Sequence, residues 1–515
     1  MSNILLIASL IPFTLIFYLI IIKKWPAIKT MPLAWLITAI ILLTLWKLSP
    51  TSVAASFIKG ALLTIEILLI IIGAIWLLEI MKEKRKIEVI KNFLIKISPD
   101  KRIQAIIIVW LFGSLIEGVA GFGTPAAITA PLLVVLGFAP ITSVVLALIA
   151  NSTPVSFGGA GTPILLGLGS LDFSREILNE VAKTTALLHL IGGLIIPLTI
   201  AFIVSKLQKQ KFSEIIPFAI FSSLAFTIPY FLFAYLVGPE LPSIAGSIIG
   251  LLIVGSAARK NILTPKTNIK TAKLLGKKTI LSSVSPYIFL VIILSLSRAI
   301  PMIKNNLVNF SLNYQNILGT GISYAFNYFF TPSFYFLLAI IFTAIIFKTK
   351  PKEIKQTLSK TIHQLEKPAL TLLFILALVQ LFLISERNPL EIQGMPLLLA
   401  ETAASLTGQF FVLLSPFIGT FGAFIAGSNT VSNLLLGSFQ ASTAQALGIS
   451  VILILALQTV GGAIGNMIAI HNIVAASATV KLHDKEGEII RKTIKTCLLY
   501  ALIVGIAGMI LVKLT

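Results

Sequence analysis

The 515-residue chain is short of charge, of acid, of histidine and of cysteine. Only 11% of its residues are charged, whereas an ordinary soluble domain has about a quarter. The single cysteine, Cys497, excludes an internal disulfide, a thiolate zinc site and an iron-sulfur cluster. No HExxH pair, acidic metal cluster, GxSxG elbow or phosphate loop ending in GK[ST] is present. The sequence therefore offers neither the groups of an enzyme nor a means of driving work with a nucleotide, and it calls for no cofactor.

What abounds is apolar. Hydrophobic residues make up 57% of the chain, with a mean hydropathy of +1.00, and apolar runs of roughly 18 or more residues recur along it. In lipid only helices, among open structures, satisfy every backbone polar group internally, and a barrel would show short segments of alternating polarity. The expected fold is an all-α polytopic membrane protein. The first run, Ile4 to Ile22, has no small-residue cleavage pattern and reads as a retained span.

The net charge of +21 would suit nucleic acid only if it lay on one face. Instead 32 of the 40 Lys and Arg fall in six loops, at 23–30, 81–102, 206–211, 257–278, 348–367 and 481–496. The loops between them carry little beyond Arg175, Lys183, Lys304 and Arg387. This alternation is the positive-inside signal, so the basic loops are expected in the cytoplasm and the chain in a cell membrane, with lipid rather than nucleic acid around it. Parity then gives about twelve transmembrane helices, plus re-entrant segments within 103–170 and 395–480. A homo-oligomer stays open.

Those two blocks resemble each other. "FGSLIEGVAGFGTPAAI" from Phe112 matches "FGAFIAGSNTVSNLLLG" from Phe421, and "ANSTPVSFGG" from Ala150 lies at a similar distance from "LQTVGGAIGN" from Leu457. The first block enters from the cytoplasm and the second from outside, which implies two inverted-topology repeats. Residues 1–257 form one half, 258–278 a basic linker and 279–515 the other, with hairpin motifs near 112–165 and 421–475. Interrupted segments at matching positions of inverted repeats point to a secondary transporter's binding site; the alternative is that Gly-rich packing seams look alike by chance.

Gly118, Gly121, Gly123 and Pro125 disfavour a regular helix, so a re-entrant hairpin with an unwound tip is expected, buried where irregular backbone is tolerated. Helices that restart after such breaks present free N–H groups to a small carboxylate. Candidate substrate contacts are Gly121, Gly123, Thr124, Asn151 and Ser152 in the first block, and Ser428, Asn429, Thr430 and Asn433 in the second, with Asn472 beyond them. Glu117 sits beside the first break, where an acid costs on the order of 2.5–3.5 kcal/mol; it either carries a proton or hydrogen-bonds the tip. Lys59 and Glu66 share one span two turns apart, Lys59 as a carboxylate partner or a snorkelling cation, Glu66 as a second proton-coupling acid. His471 and His189 are either relays or packed hydrogen-bonders, and Glu401 has no assigned role.

The stretches "FGSLIEGVAGFGTPAAI", "GAFIAGSNTVSNLLLGSFQ" and "GGAIGNMIAIHNIVAASATV", in that order, resemble the signatures of the lactate permease family. The resemblance extends in length and hydropathy over essentially the whole chain. It implies an ion-transporter-type fold and proton symport of L-lactate, with D-lactate and glycolate as further substrates, by an elevator-type motion. Glu117 and Gly121 to Pro125 fall on the first motif, and Ser428 to Asn433 and His471 with Asn472 on the later two. The alternative on the same fold is a sodium-coupled carrier of a small carboxylate, since "NST" at 151–153 and "SNT" at 428–430 offer hydroxyl and carbonyl groups for a cation.

Overall fold

A computed structural model describes residues 2–23, 25–95, 97–121, 124–265, 277–482 and 485–514. Among them eight helices are long and apolar enough to cross a membrane, or ten if each of two bent pairs is one span. The shortfall from twelve has a local cause. Several apolar runs form helices of 10–17 residues, because breaks divide them: the first run passes from an α-helix, Ser2–Phe17, into π-helical turns at Tyr18–Ile22. Among the described residues sheet is limited to one hairpin, in which Leu312–Tyr314 pairs antiparallel with Tyr324–Phe326.

Two helices of 34 residues, Pro50–Glu83 and Pro351–Ile384, form the most extensive contact in the molecule. At 1.5 Å per residue the first is about 50 Å long, well beyond a hydrocarbon layer of about 30 Å, whereas the second bends by 50° between Glu366 and Ala369; the basic ends of the two meet. There Lys84 pairs with Glu353 at 2.7 Å, the buried Glu79 takes Lys82 at 2.7 Å and Lys360 at 2.5 Å, and Trp76 donates to the Thr357 hydroxyl. Toward the other end the backbones nearly touch: a Cβ on Gly60 would lie 2.7 Å from the Ala377 backbone. Ala27–Thr44 and Pro332–Ile346 flank this pair.

Beside it lie two helical hairpins. In the first, Lys101–Ala105 runs through π-helical turns at Ile106–Phe112 into Gly113–Ala120, breaks at Gly121 and returns as Thr124–Val135. The return limb lies alongside the outgoing one, since a Cβ on Gly113 would meet Thr129 at 3.7 Å. In the second, Phe411–Ala426 breaks at Gly427 and returns as Asn429–Ala446, and the Ser432 hydroxyl crosses between the limbs to the Gly419 carbonyl at 2.8 Å. Each hairpin is followed by a broken helix. Pro140–Ala150 resumes beyond Pro154 at a 58° bend, and Val451–Gly465 resumes as Ile470–Thr479. The broken helices cross over: the resumed segment Pro163–Leu168 packs on the second hairpin, and Ile470–Thr479 packs on the return limb of the first.

Glycine makes the closest of these contacts possible. Along the seam between Phe411–Ala426 and Val451–Gly465, a Cβ on Gly461 would collide with the Pro416 carbonyl and one on Gly465 with the Thr420 carbonyl. Such small residues let membrane helices approach by their backbones. Gly461→Ala is expected to destabilise the folded protein by about 1–3 kcal/mol through overpacking, read as a lower melting temperature in detergent; an unchanged melt would show that the seam can part.

Candidate functional site

All four breaks in the two hairpins and the two broken helices meet at one small cavity. Glu117 and Gly121 reach it from the first hairpin, Val155, Gly158, Thr162 and Pro163 from the first broken helix, Gly427 to Thr430 from the second hairpin, and Asn466 from the second broken helix. Its volume is about 10 Å³, room for about one water molecule. A larger ligand enters only when these elements separate.

The sequence shapes the breaks locally. Gly121 ends its helix at φ 64° and Gly427 at φ 74°, conformations that L side chains rarely adopt. In the first broken helix three consecutive residues, Gly159, Ala160 and Gly161, are left-handed. Two glycines absorb most of that cost, and Ala160 at φ 55° is held by full burial. Gly158 is bare for a different reason, because a Cβ there would strike the Glu117 carboxyl.

Three side chains at this junction, Glu117, Asn151 through its Oδ1, and Asn429, have polar atoms without a partner in the protein. Glu117 is 2% exposed; Asn151 hydrogen-bonds its carboxyl, yet its Oε2 has no partner. Asn429 is 1% exposed, and neither its Oδ1 nor its Nδ2 has one. Buried polar atoms are normally paired, so these groups are free to take a further partner. Ser428 precedes the helix Asn429–Ala446 without using its side chain as a cap, which leaves the first-turn N–H groups free of it.

The remaining sequence candidates divide by what holds them. Thr430 and Ser428 line the cavity with Asn429. Ser152 closes its own helix end on the Ile149 carbonyl. Asn433 is committed to packing: its amide donates to the Pro163 carbonyl at 2.8 Å and to Thr459 at 3.0 Å, tying the second hairpin to the first broken helix. Asn472 donates to the Asn466 side chain at 3.0 Å and so positions a residue of the cavity wall. His471 has its ring against Gly427 and is exposed at the surface. Lys59 and Glu66 lie elsewhere, paired with Asp172 and Tyr324 in a separate, wider cavity. Glu401 accepts from Gln393. Gly123 and the side chain of Thr124 fall outside the described residues.

Of the cavity lining, Val155, Gly158, Thr162, Pro163, Gly427 and Asn466 are not among the contacts expected from sequence. All but Thr162 and Pro163 lie inside the quoted repeat stretches, so the signal was the repeat itself. Gln458, in "LQTVGGAIGN" as well, has a role that spacing does not reveal: it donates to Ser432 and accepts from Gln440, within a buried amide chain behind the second hairpin.

His189 belongs to a second buried chain. Its Nε2 meets the Ser156 hydroxyl at 2.8 Å and its Nδ1 the Tyr500 hydroxyl at 2.8 Å, while Tyr500 also meets Thr153 at 3.1 Å. Tyr230 donates to the Thr153 carbonyl and Ser243 to the Pro154 carbonyl. Together they fix residues 153–156, the irregular stretch that follows Asn151 and supplies Val155 to the cavity. Tyr500→Phe, which strands two buried polar groups, is expected to cost about 1–3 kcal/mol in thermal unfolding; a neutral effect would show that water replaces the hydroxyl.

Comparison with known proteins finds relatives named as permeases. Residues 5–515 match the family described as L-lactate permease. A putative L-lactate permease of Haemophilus influenzae is 34% identical over 99% of this chain and 98% of its own length. The L-lactate permease of Escherichia coli is 29% identical over 97% of this chain and 94% of its own. The glycolate permease GlcA of the same organism is 28% identical over 85% and 83%. Among solved structures, the YdaH transporter of Alcanivorax borkumensis covers 90% of this chain and 88% of its own at 14% identity and a TM-score of 0.47.

Proposed function

The chain belongs to the L-lactate permease family, and on that premise we propose that it carries L-lactate and related short 2-hydroxy monocarboxylates, glycolate among them, across the membrane together with a proton. Membership makes it a membrane transporter rather than an enzyme. The observation that carries the finer reading is the meeting of Glu117 and Asn429, both buried and both with unmet polar atoms, where four chain breaks converge.

The chemistry follows from the groups present. A carboxylate suits the amino end of the helix Asn429–Ala446, where free N–H groups and the helix dipole favour negative charge. The Asn429 amide offers one donor and one acceptor to a carboxylate and a 2-hydroxyl. Glu117 is the one acid lining the inner cavity. Bare, it would be a buried charge without a counter-ion. Protonated, it stands ready to travel neutral. A monovalent anion entering a cell costs roughly 2.3 kcal/mol per 100 mV, inside negative, and a proton carried with it cancels that term. Alternating access by an elevator-type motion would keep the paired long helices as the fixed unit and move the two hairpins, with the halves acting as inverted repeats and the basic loops in the cytoplasm. Sodium coupling on the same fold is the competing reading, drawn from the hydroxyl and carbonyl groups at the breaks.

Radiolabelled L-lactate uptake into proteoliposomes tests the proposal. An imposed inward proton gradient should drive accumulation, and replacing sodium with potassium at fixed pH should leave it intact; collapse on sodium removal would overturn proton coupling. Glu117→Gln should abolish gradient-driven accumulation while retaining exchange of internal for external lactate, and normal accumulation would remove Glu117 as the carrier. Asn429→Ala should weaken apparent binding by about 1–3 kcal/mol; unchanged affinity would place the substrate elsewhere.

A further inference from the structure

The inner cavity holds about one water, so in this conformation it cannot accept a three-carbon acid. Two adjoining cavities can. They measure about 490 and 260 Å³, share Lys59, Asp172 and Ser323, and lie near the end of the long helix Pro50–Glu83 that is opposite its basic end. Leu165 and Leu166 line the larger, whereas Thr162 and Pro163 line the inner cavity, so less than one helical turn separates them.

Their charges differ. Around the larger cavity stand Glu66, Asp172, Glu176 and Glu240 against Lys59 and Arg175, which repels an anion. The smaller has two cations, Lys59 and Arg387, and one acid, Asp172. The Lys59 ammonium lies 3.1 Å from both oxygens of Asp172, but their surroundings are unlike: Lys59 is 11% exposed and Asp172 is 71% exposed. Arg387 forms no ion pair among the described residues and is exposed. Gln380 spans the wall, donating to the Ser170 carbonyl.

We propose that the smaller cavity is a docking site for the substrate's carboxylate, held by Arg387 and Lys59 before the acid passes to the inner site. The guanidinium supplies a planar fork for the carboxylate. Asp172, the exposed partner, stands where an incoming carboxylate would stand and yields Lys59 to it; the Ser323 hydroxyl, also in the wall, is the group for the 2-hydroxyl. The site would raise the local concentration of anion at the mouth without contributing to the coupling step. It rests on the monocarboxylate reading above.

The test is initial uptake of radiolabelled L-lactate by intact cells producing the full chain, as a function of external concentration. Arg387→Gln, at an exposed position, is expected to raise KM about tenfold with no more than about a twofold change in maximal rate, the signature of lost binding. Arg387→Lys should recover most of the affinity, and Asp172→Asn, which frees Lys59, should lower KM. An unchanged KM in Arg387→Gln would overturn the docking site, as would a fall in maximal rate at constant KM across Arg387→Gln and Asp172→Asn, which would make the cluster a clasp. Absence of lactate and glycolate uptake in the unaltered protein would overturn the substrate class instead, before any variant is read.

Discussion

A broken helix in lipid leaves N–H and C=O groups that water cannot reach, and the rest of this structure depends on how that cost is met. Each unsatisfied group in hydrocarbon costs several kcal/mol, so a chain with breaks at 121, 151–161, 427 and 466–469 folds only if they are buried against one another. The cross-packing does this. The resumed half of the first broken helix lies on the second hairpin, where Asn433 takes the Pro163 carbonyl, and the resumed half of the second lies on the first. The same burial that makes the breaks tolerable brings them to one point, the inner cavity.

Rigidity around that point is unevenly distributed. Residues 153–156 are pinned by Tyr230, Ser243, His189 and Tyr500, and the second hairpin by Ser432, Gln458 and Gln440. The two long helices are locked by ion pairs at one end and backbone contact at the other. Among the described residues the links from the long helices to the first broken helix include Lys59 to Asp172 and the buried Gln380 to the Ser170 carbonyl.

Much of this was legible in the sequence where the cause is local. Composition and hydropathy give helices, and Gly121 and Gly427 mark the breaks because positive φ at a helix end selects glycine. The likeness of the two blocks points to the elements that converge. What composition and spacing could not show was which polar side chains are already spoken for. Asn429 and Asn433 are one turn apart in the same motif, yet one has both amide atoms unmet and the other has its amide donating to Pro163 and Thr459. Lys59 and Glu66 share one helix two turns apart, and the partners each of them takes, Asp172 and Tyr324, come from distant segments. Among the described residues fewer than twelve helices are long enough to span alone for a related reason, since hydropathy does not register where a turn becomes π-helical or where proline bends a run.

The convergence of the breaks is tested most directly by substrate protection of a single thiol. With the lone Cys497 replaced by Ala, Thr430→Cys puts the one thiol in the cavity wall. L-Lactate is expected to slow alkylation of that thiol by a small maleimide in a saturable way, at concentrations near those that saturate transport. Alkylation at an unaltered rate, in protein that still transports lactate, would contradict a substrate site at the meeting of the breaks.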